Sequence, residues 1–92
     1  MSGKFDNVWD ALAKDPVEAK ILNMRSELMS EIRDFVSAKA LTQAEAAQLL
    51  GLTQPRVSDL LRGKLSKFNL ETLIGLAERC GVTLELHKSH AA

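Results

Sequence analysis

The stretch from Thr42 to Lys64 constrains the fold most, because it carries the start and stop signals of two short helices. Thr42 and Glu45 have the spacing of a capping box, in which each side chain accepts a backbone N–H of the other residue. Gly51 then suits the positive φ of a sharp helix exit. Pro55 is typical of a first helical turn, since it lacks an N–H. The pattern predicts two helices joined by a tight corner.

The apolar residues of this stretch are spaced as two steeply crossed helices require. On the second helix Val57, Leu60 and Leu61 recur at i, i+3 and i+4. Ala47 lies four residues before Gly51, where a larger side chain would separate the helices. Polar residues occupy the first turn of the second helix, and an ordinary buried αα-hairpin would not need them there. The pattern therefore favours a DNA-binding helix-turn-helix over a buried hairpin.

The charge distribution supports the same interpretation, although the formal net charge of the chain is +0. Residues 55–67 contain four basic residues and Asp59 as their only acid; the basic residues are Arg56, Arg62, Lys64 and Lys67. A local basic patch on a neutral protein suits specific DNA binding with modest non-specific affinity. A solvated charged loop is the alternative, and it explains the two lysines better than Arg56.

Two amphipathic segments precede this stretch. Phe5 and Trp9 belong to a short segment of helical spacing, and we expect them to pack on the next helix or to contact a partner protein. Asp15 and Pro16 form a helix start, an acidic N-cap followed by proline. The helix that follows runs to about Lys39, and its first half is expected to project beyond a small bundle.

Two different patterns follow this stretch. Lys64 to Phe68 reads as a polar connection, and Asn69 then caps a fourth main helix that ends at Gly81. Residues 82–87 alternate apolar and polar side chains, which predicts a strand with one apolar face formed by Val82, Leu84 and Leu86. A single strand must pair its backbone elsewhere, so we expect dimerisation through a second copy or pairing with the sheet edge of another protein.

Several classes of protein are disfavoured. The chain has 92 residues, enough for one domain, and no apolar run approaches the roughly 20 residues of a membrane span. Cys80 is the only cysteine, which predicts a cytoplasmic protein without internal disulfides. His87 and His90 resemble a metal pair only weakly. No residue set suggests catalysis, so we predict no enzymatic activity, no cofactor and no metal.

The segments LTQAEAAQLLGLTQPRVSDLLRGK and LETLIGLAERCGV resemble the Cro/cI-like, or XRE-family, helix-turn-helix domain over about residues 32–82. The layout, with a long helix before this domain, resembles that of HigA-type antitoxins of bacterial toxin–antitoxin operons. The resemblance implies five packed helices, the third of which enters the major groove. The expected fold class is all-α: a five-helix Cro/cI-like helix-turn-helix bundle with an N-terminal extension and one short C-terminal strand.

The same resemblance implies specific DNA contacts. Gln43 and Thr53 would bind phosphate at helix N-termini, and Arg62 and Lys64 would bind phosphate after the third helix. Gln54 could read adenine, while Arg56 would pair with phosphate or guanine.

The resemblance gives four groove-facing positions: Gln54, Pro55, Ser58 and Asp59. Two of them, Pro55 and Asp59, depart from the usual chemistry. The ring of Pro55 would touch a thymine methyl. Asp59 would accept from a cytosine N4 or pair with Arg62.

We therefore expect an extension over residues 1–30, a DNA-binding domain with the strand over 31–87, and a tail over 88–92. The expected function is a homodimeric repressor of a palindromic operator on double-stranded DNA. Its layout suggests an antitoxin that represses its own operon and neutralises a small basic, mRNA-cleaving toxin. The alternatives are a stand-alone phage-type or metabolite-responsive regulator, and a protein-interaction adaptor that no longer binds DNA.

Overall fold

The computed structural model describes residues 15–90, and every regular element in that range is helical. The elements are α1 (Pro16–Ala38), α2 (Gln43–Leu50), α3 (Gln54–Leu61), a 3-10 helix (Leu65–Lys67) and α4 (Leu70–Arg79). The predicted all-α class is confirmed. The described range holds four α-helices and one 3-10 turn, so the predicted count of five helices is not shown; the predicted segment around Phe5 and Trp9 lies outside the described residues.

Local capping signals set the starts of the helices, as the sequence indicates. The Asp15 carboxylate accepts the backbone N–H of Val17 at 3.1 Å and begins α1. Thr42 and Glu45 form both hydrogen bonds of the predicted capping box, at 2.9 and 3.1 Å. Asn69 accepts the N–H of Thr72 at 2.8 Å and begins α4. Each cap satisfies N–H groups that the first helical turn leaves unpaired.

One core joins all four helices and the 3-10 turn. It includes Leu28, Met29 and Ile32 from the middle of α1, together with residues of the other three helices: Ala46, Leu50, Val57, Leu60, Leu73, Leu76 and Ala77. Phe68 is fully buried and is among the largest of these side chains. The prediction of a polar connection from Lys64 to Phe68 was therefore wrong at Phe68, which immediately precedes the cap of α4 and packs into the core.

The segment after α4 does not form the predicted strand. Residues 82–90 have no regular secondary structure. The N–H of Val82 donates to the carbonyl of Ala77 at 2.9 Å and closes the end of α4. Leu84 and Leu86 are 42% and 86% exposed. The alternation of residue types is present, but the described part of a single chain offers no second strand to pair with.

Candidate nucleic-acid interface

The corner between α2 and α3 is built as a helix-turn-helix requires. Gly51 adopts φ 68, a left-handed conformation that L side chains rarely adopt. The N–H of Leu52 donates to the carbonyl of Ala47 at 3.0 Å, which closes the end of α2. Val57 and Leu60 then face the core on α3 and are fully buried. The opposite side of this short helix is left to face outward.

Polar and small residues at the start of α3 are exposed to solvent. Thr53 caps the helix, and its hydroxyl oxygen accepts the N–H of Arg56 at 3.4 Å. Gln54 and Pro55 are exposed in the first turn, and Gln43 is exposed in the first turn of α2. Helix N-termini present unpaired N–H groups and favour anions. The predicted DNA-contact residues Gln43, Thr53, Gln54 and Pro55 are therefore accessible, and their contact with DNA stays a prediction.

Arg56 is held against the protein rather than extended freely from α3. Its guanidinium carbon lies 4.2 Å from the centre of the Phe68 ring, a cation–π stack. Its Nη1 also donates to the carbonyl of Lys67 at 2.9 Å. The side chain is half-buried. It thus fixes α3 to the turn that follows, and only the remaining N–H groups could reach a ligand.

Asp59 forms its ion pair with Lys64 and not with Arg62, the partner that the sequence suggests. Its carboxylate lies 3.5 Å from Nζ of Lys64, and it is the more buried member of the pair. Arg62 follows the last residue of α3 and is exposed there. Gly63, at φ 74, turns the chain so that Lys64 comes back beside the helix. Ser58 is also half-buried. Since Asp59 is half-buried while Arg62 and Lys64 are exposed, the outward surface at this end is largely cationic.

The turn after α3 is tied to the first helix by Arg25. Arg25 is a half-buried residue of α1, and its Nε donates to the carbonyl of Phe68 at 2.9 Å. Its Nη2 donates to the carbonyl of Leu65. Sequence reasoning missed this residue because a single arginine on a helix gives no signal of a contact 40 residues away.

The candidate interface thus consists of α3, the start of α2 and the 3-10 turn. The predicted residues lie on these elements or next to them in the chain; they are Gln43, Thr53, Gln54, Pro55, Arg56, Ser58, Asp59, Arg62 and Lys64. Lys67, next to them on the 3-10 turn, is also exposed. The predicted dimerisation residues Val82, Leu84 and Leu86 belong to the separate segment after α4. Over residues 15–90, no three potential ligands among His, Cys, Asp and Glu cluster as a metal site would require.

The family described as "Helix-turn-helix domain" matches residues 12–89 of the chain. The chain belongs to this helix-turn-helix family. A solved structure named "Putative XRE Family Transcriptional Regulator" has a similar fold, with a TM-score of 0.74 and 28% sequence identity. The similarity covers 80% of this chain and 83% of the other. No curated protein matches the chain in sequence.

These matches confirm the coarser part of the sequence prediction. The helix-turn-helix family and the likeness to an XRE-type regulator agree with it. The narrower resemblance to HigA-type antitoxins has no counterpart among them. Across residues 15–90, each helix of this helix-turn-helix protein is too short or too polar to cross a membrane.

Proposed function

We propose that this helix-turn-helix protein is a sequence-specific DNA-binding transcriptional regulator of the XRE type, acting as a repressor. The observation that carries the proposal is the exposed first turn of α3, where Gln54 and Pro55 are accessible, together with the cationic residues that follow the other end of the same helix. A helix with this arrangement fits the major groove, where an amide side chain can read adenine through two hydrogen bonds.

The proposed interface residues have two roles, base recognition and phosphate binding. Gln54 and Pro55 would contact base edges. Gln43 and Thr53 would bind phosphate at the helix N-termini. The cations at the end of α3, Arg62 and Lys64, would bind phosphate and contribute affinity without sequence preference. Arg56, restrained by Phe68 and Lys67, is suited to a phosphate contact through its free N–H groups.

The matched test uses two exposed glutamines. Gln54→Ala should weaken binding to a duplex selected from a random-sequence pool by about 1–3 kcal/mol and relax specificity at one base pair. Gln48→Ala, on an exposed position in the middle of α2, should leave binding unchanged. Arg62→Ala should weaken binding to all sequences alike and reduce its salt dependence. Failure of the pool to enrich any sequence would favour the adaptor alternative.

We further propose that the protein acts as a homodimer on a palindromic operator. Exposed apolar side chains on α1 and after α4 support an additional interface; they are Val17, Met24, Leu84 and Leu86. A second copy could supply the strand partner that the segment 82–87 does not find among residues 15–90 of its own chain. Ending the chain at Gly81 should then shift sedimentation toward the monomer, whereas an unchanged dimer would contradict this role for the segment.

The antitoxin role is the finest level of the proposal. Its support is the first half of α1, where Val17 is 65% exposed and gives a partner an apolar surface. A small basic toxin encoded beside this gene should co-purify with the protein when the whole native operon is expressed. Loss of the partner on Val17→Asp, with DNA binding retained, would place the toxin-binding surface on α1. Absence of any co-purifying neighbour would favour the stand-alone regulator.

A further inference from the structure

The turn between α3 and α4 is unusual because two arginine side chains bind its backbone carbonyls. Arg25 donates to the carbonyls of Leu65 and Phe68, and Arg56 donates to that of Lys67. Hydrogen bonds from a charged donor are stronger than neutral ones. Three carbonyls within four consecutive residues are therefore held from two different helices.

The two arginines act from different distances in the chain. Arg56 lies 11 residues before Lys67, whereas Arg25 lies 43 residues before Phe68, in the first half of α1. Arg25 uses two nitrogens of its planar guanidinium at once, an arrangement that lysine cannot reproduce. The ring of Phe68, buried in the core, lies against the guanidinium of Arg56. The turn is thus fixed by a clamp that includes the first helix.

The same turn carries cations at both of its ends. Lys64 precedes the 3-10 helix and Lys67 ends it, and both are exposed. The backbone conformation of this short element helps to set where both lysines point, since a 3-10 helix of three residues has little stability of its own. The ammonium group of Lys64 is also held by its ion pair with Asp59. Without donors for its carbonyls, the turn would exchange these hydrogen bonds for water and sample other conformations.

We propose that Arg25 is a positioning residue of the DNA interface. It fixes the turn from Leu65 to Phe68 so that Lys64 and Lys67 can bind neighbouring backbone phosphates. In this proposal Arg25 acts on DNA through the turn, because its Nε and Nη2 are already bonded to the protein backbone. The inference rests on the proposed function and adds to it a dependence of DNA binding on the first half of α1.

Two substitutions separate positioning from charge. Arg25→Lys keeps the positive charge but loses the two-point clamp, and Arg25→Met removes both. The probe is a fluorescent duplex of mixed sequence and about three helical turns, bound over a series of salt concentrations. The salt slope changes by about 0.9 for each phosphate that the protein no longer binds. Both variants should reduce the slope by about 0.9–1.8, as should the double variant Lys64→Gln/Lys67→Gln.

Combining the substitutions gives the decisive comparison. If Arg25 acts through the two lysines, adding Arg25→Met to Lys64→Gln/Lys67→Gln should reduce the slope no further. Hydrogen exchange should also quicken at the amides of Lys67 and Phe68 in both Arg25 variants. Ile32→Val, a core substitution that lowers stability, should leave the slope unchanged and so controls for stability.

The outcomes distinguish this inference from the proposed function. Wild-type slopes in folded Arg25 variants, or a further reduction in the combined variant, would contradict the positioning role while leaving DNA binding intact. Unchanged exchange at the turn amides would contradict it without reference to DNA. Absence of salt-dependent binding by the wild-type protein would contradict the proposed function, and the positioning role with it.

Discussion

The helix-turn-helix segment from Thr42 to Gly63 and the turn from Lys64 to Phe68 are neighbours in the chain but are stabilised in different ways. In the first, the caps Thr42 and Thr53 each bond to a residue three positions away. In the second, the backbone carbonyls accept from Arg25, 40 or more residues away, and from Arg56, 11 residues away. A segment of the first kind is specified by local signals, whereas a segment of the second kind depends on the assembled fold.

The largest expected effect is on the turn. Phe68→Ala should lower the free energy of unfolding by about 3–5 kcal/mol, because it removes a fully buried ring and the platform for Arg56. Urea denaturation followed by circular dichroism would measure the loss. Phe35→Ala, at a half-buried position on α1, serves as the matched control and should cost less. Equal losses would contradict a turn held by long-range burial.

A smaller loss of stability is expected when the helix cap at Thr42 is removed. Thr42→Ala should cost about 1 kcal/mol of stability, since the N–H of Glu45 loses its acceptor. Gln48→Ala on the exposed side of the same helix should change stability by less than about 0.5 kcal/mol. The Thr42→Ala and Phe68→Ala losses should add, because the two sites share no partner. Strong non-additivity in thermal or urea unfolding would show that the two regions are not separate.

A gain in stability is expected at the end of α1. Ala40 is the only residue other than glycine with a positive φ among those described, at 51°. Ala40→Gly should therefore raise the free energy of unfolding by about 1 kcal/mol, because glycine avoids the strain of a left-handed residue but loses more entropy on folding. Ala38→Gly, at the last residue of the helix, should instead lower it. A loss in both variants, measured by thermal melting, would contradict a local conformational penalty at Ala40.

The smallest expected effect is on the pH dependence of stability, through the buried core residue Cys80. Burial raises the pKa of the Cys80 thiol above its ordinary value of 9.0. The folded state then holds its proton more tightly than the unfolded state, so stability falls as the pH rises from about 9 through the raised pKa. Cys80→Ala should remove this part of the decline when urea midpoints are compared at several pH values. Parallel curves for both proteins would show no difference in thiol pKa between the two states.

The same contrast explains which parts of the fold could be predicted. The capping box at Thr42, the exit at Gly51 and the buried stripe of α3 are local patterns, and each is present as predicted. The burial of Phe68 had one usable signal in the sequence. Phe68 directly precedes the Asn69 cap and Leu73 follows that cap by four residues, the spacing of a hydrophobic staple.

Other features needed the assembled structure. The contacts of Arg25 arise only when α1 lies beside the turn. The exposure of Gln54 followed from helix periodicity, but the stack of Arg56 on Phe68 did not, since it joins two elements. The strand over residues 82–87 was predicted from alternation alone, and a strand forms only where a partner strand is present.

The central claim is that duplex DNA meets α3 and the turn that follows it. The most direct measurement is nuclear magnetic resonance of the 15N-labelled protein during titration with the selected duplex. The largest chemical-shift changes should fall on residues 53–67 and on Gln43, with small changes over residues 16–24. Changes concentrated on residues 16–24 and 82–90 instead, with α3 unaffected, would contradict the claim.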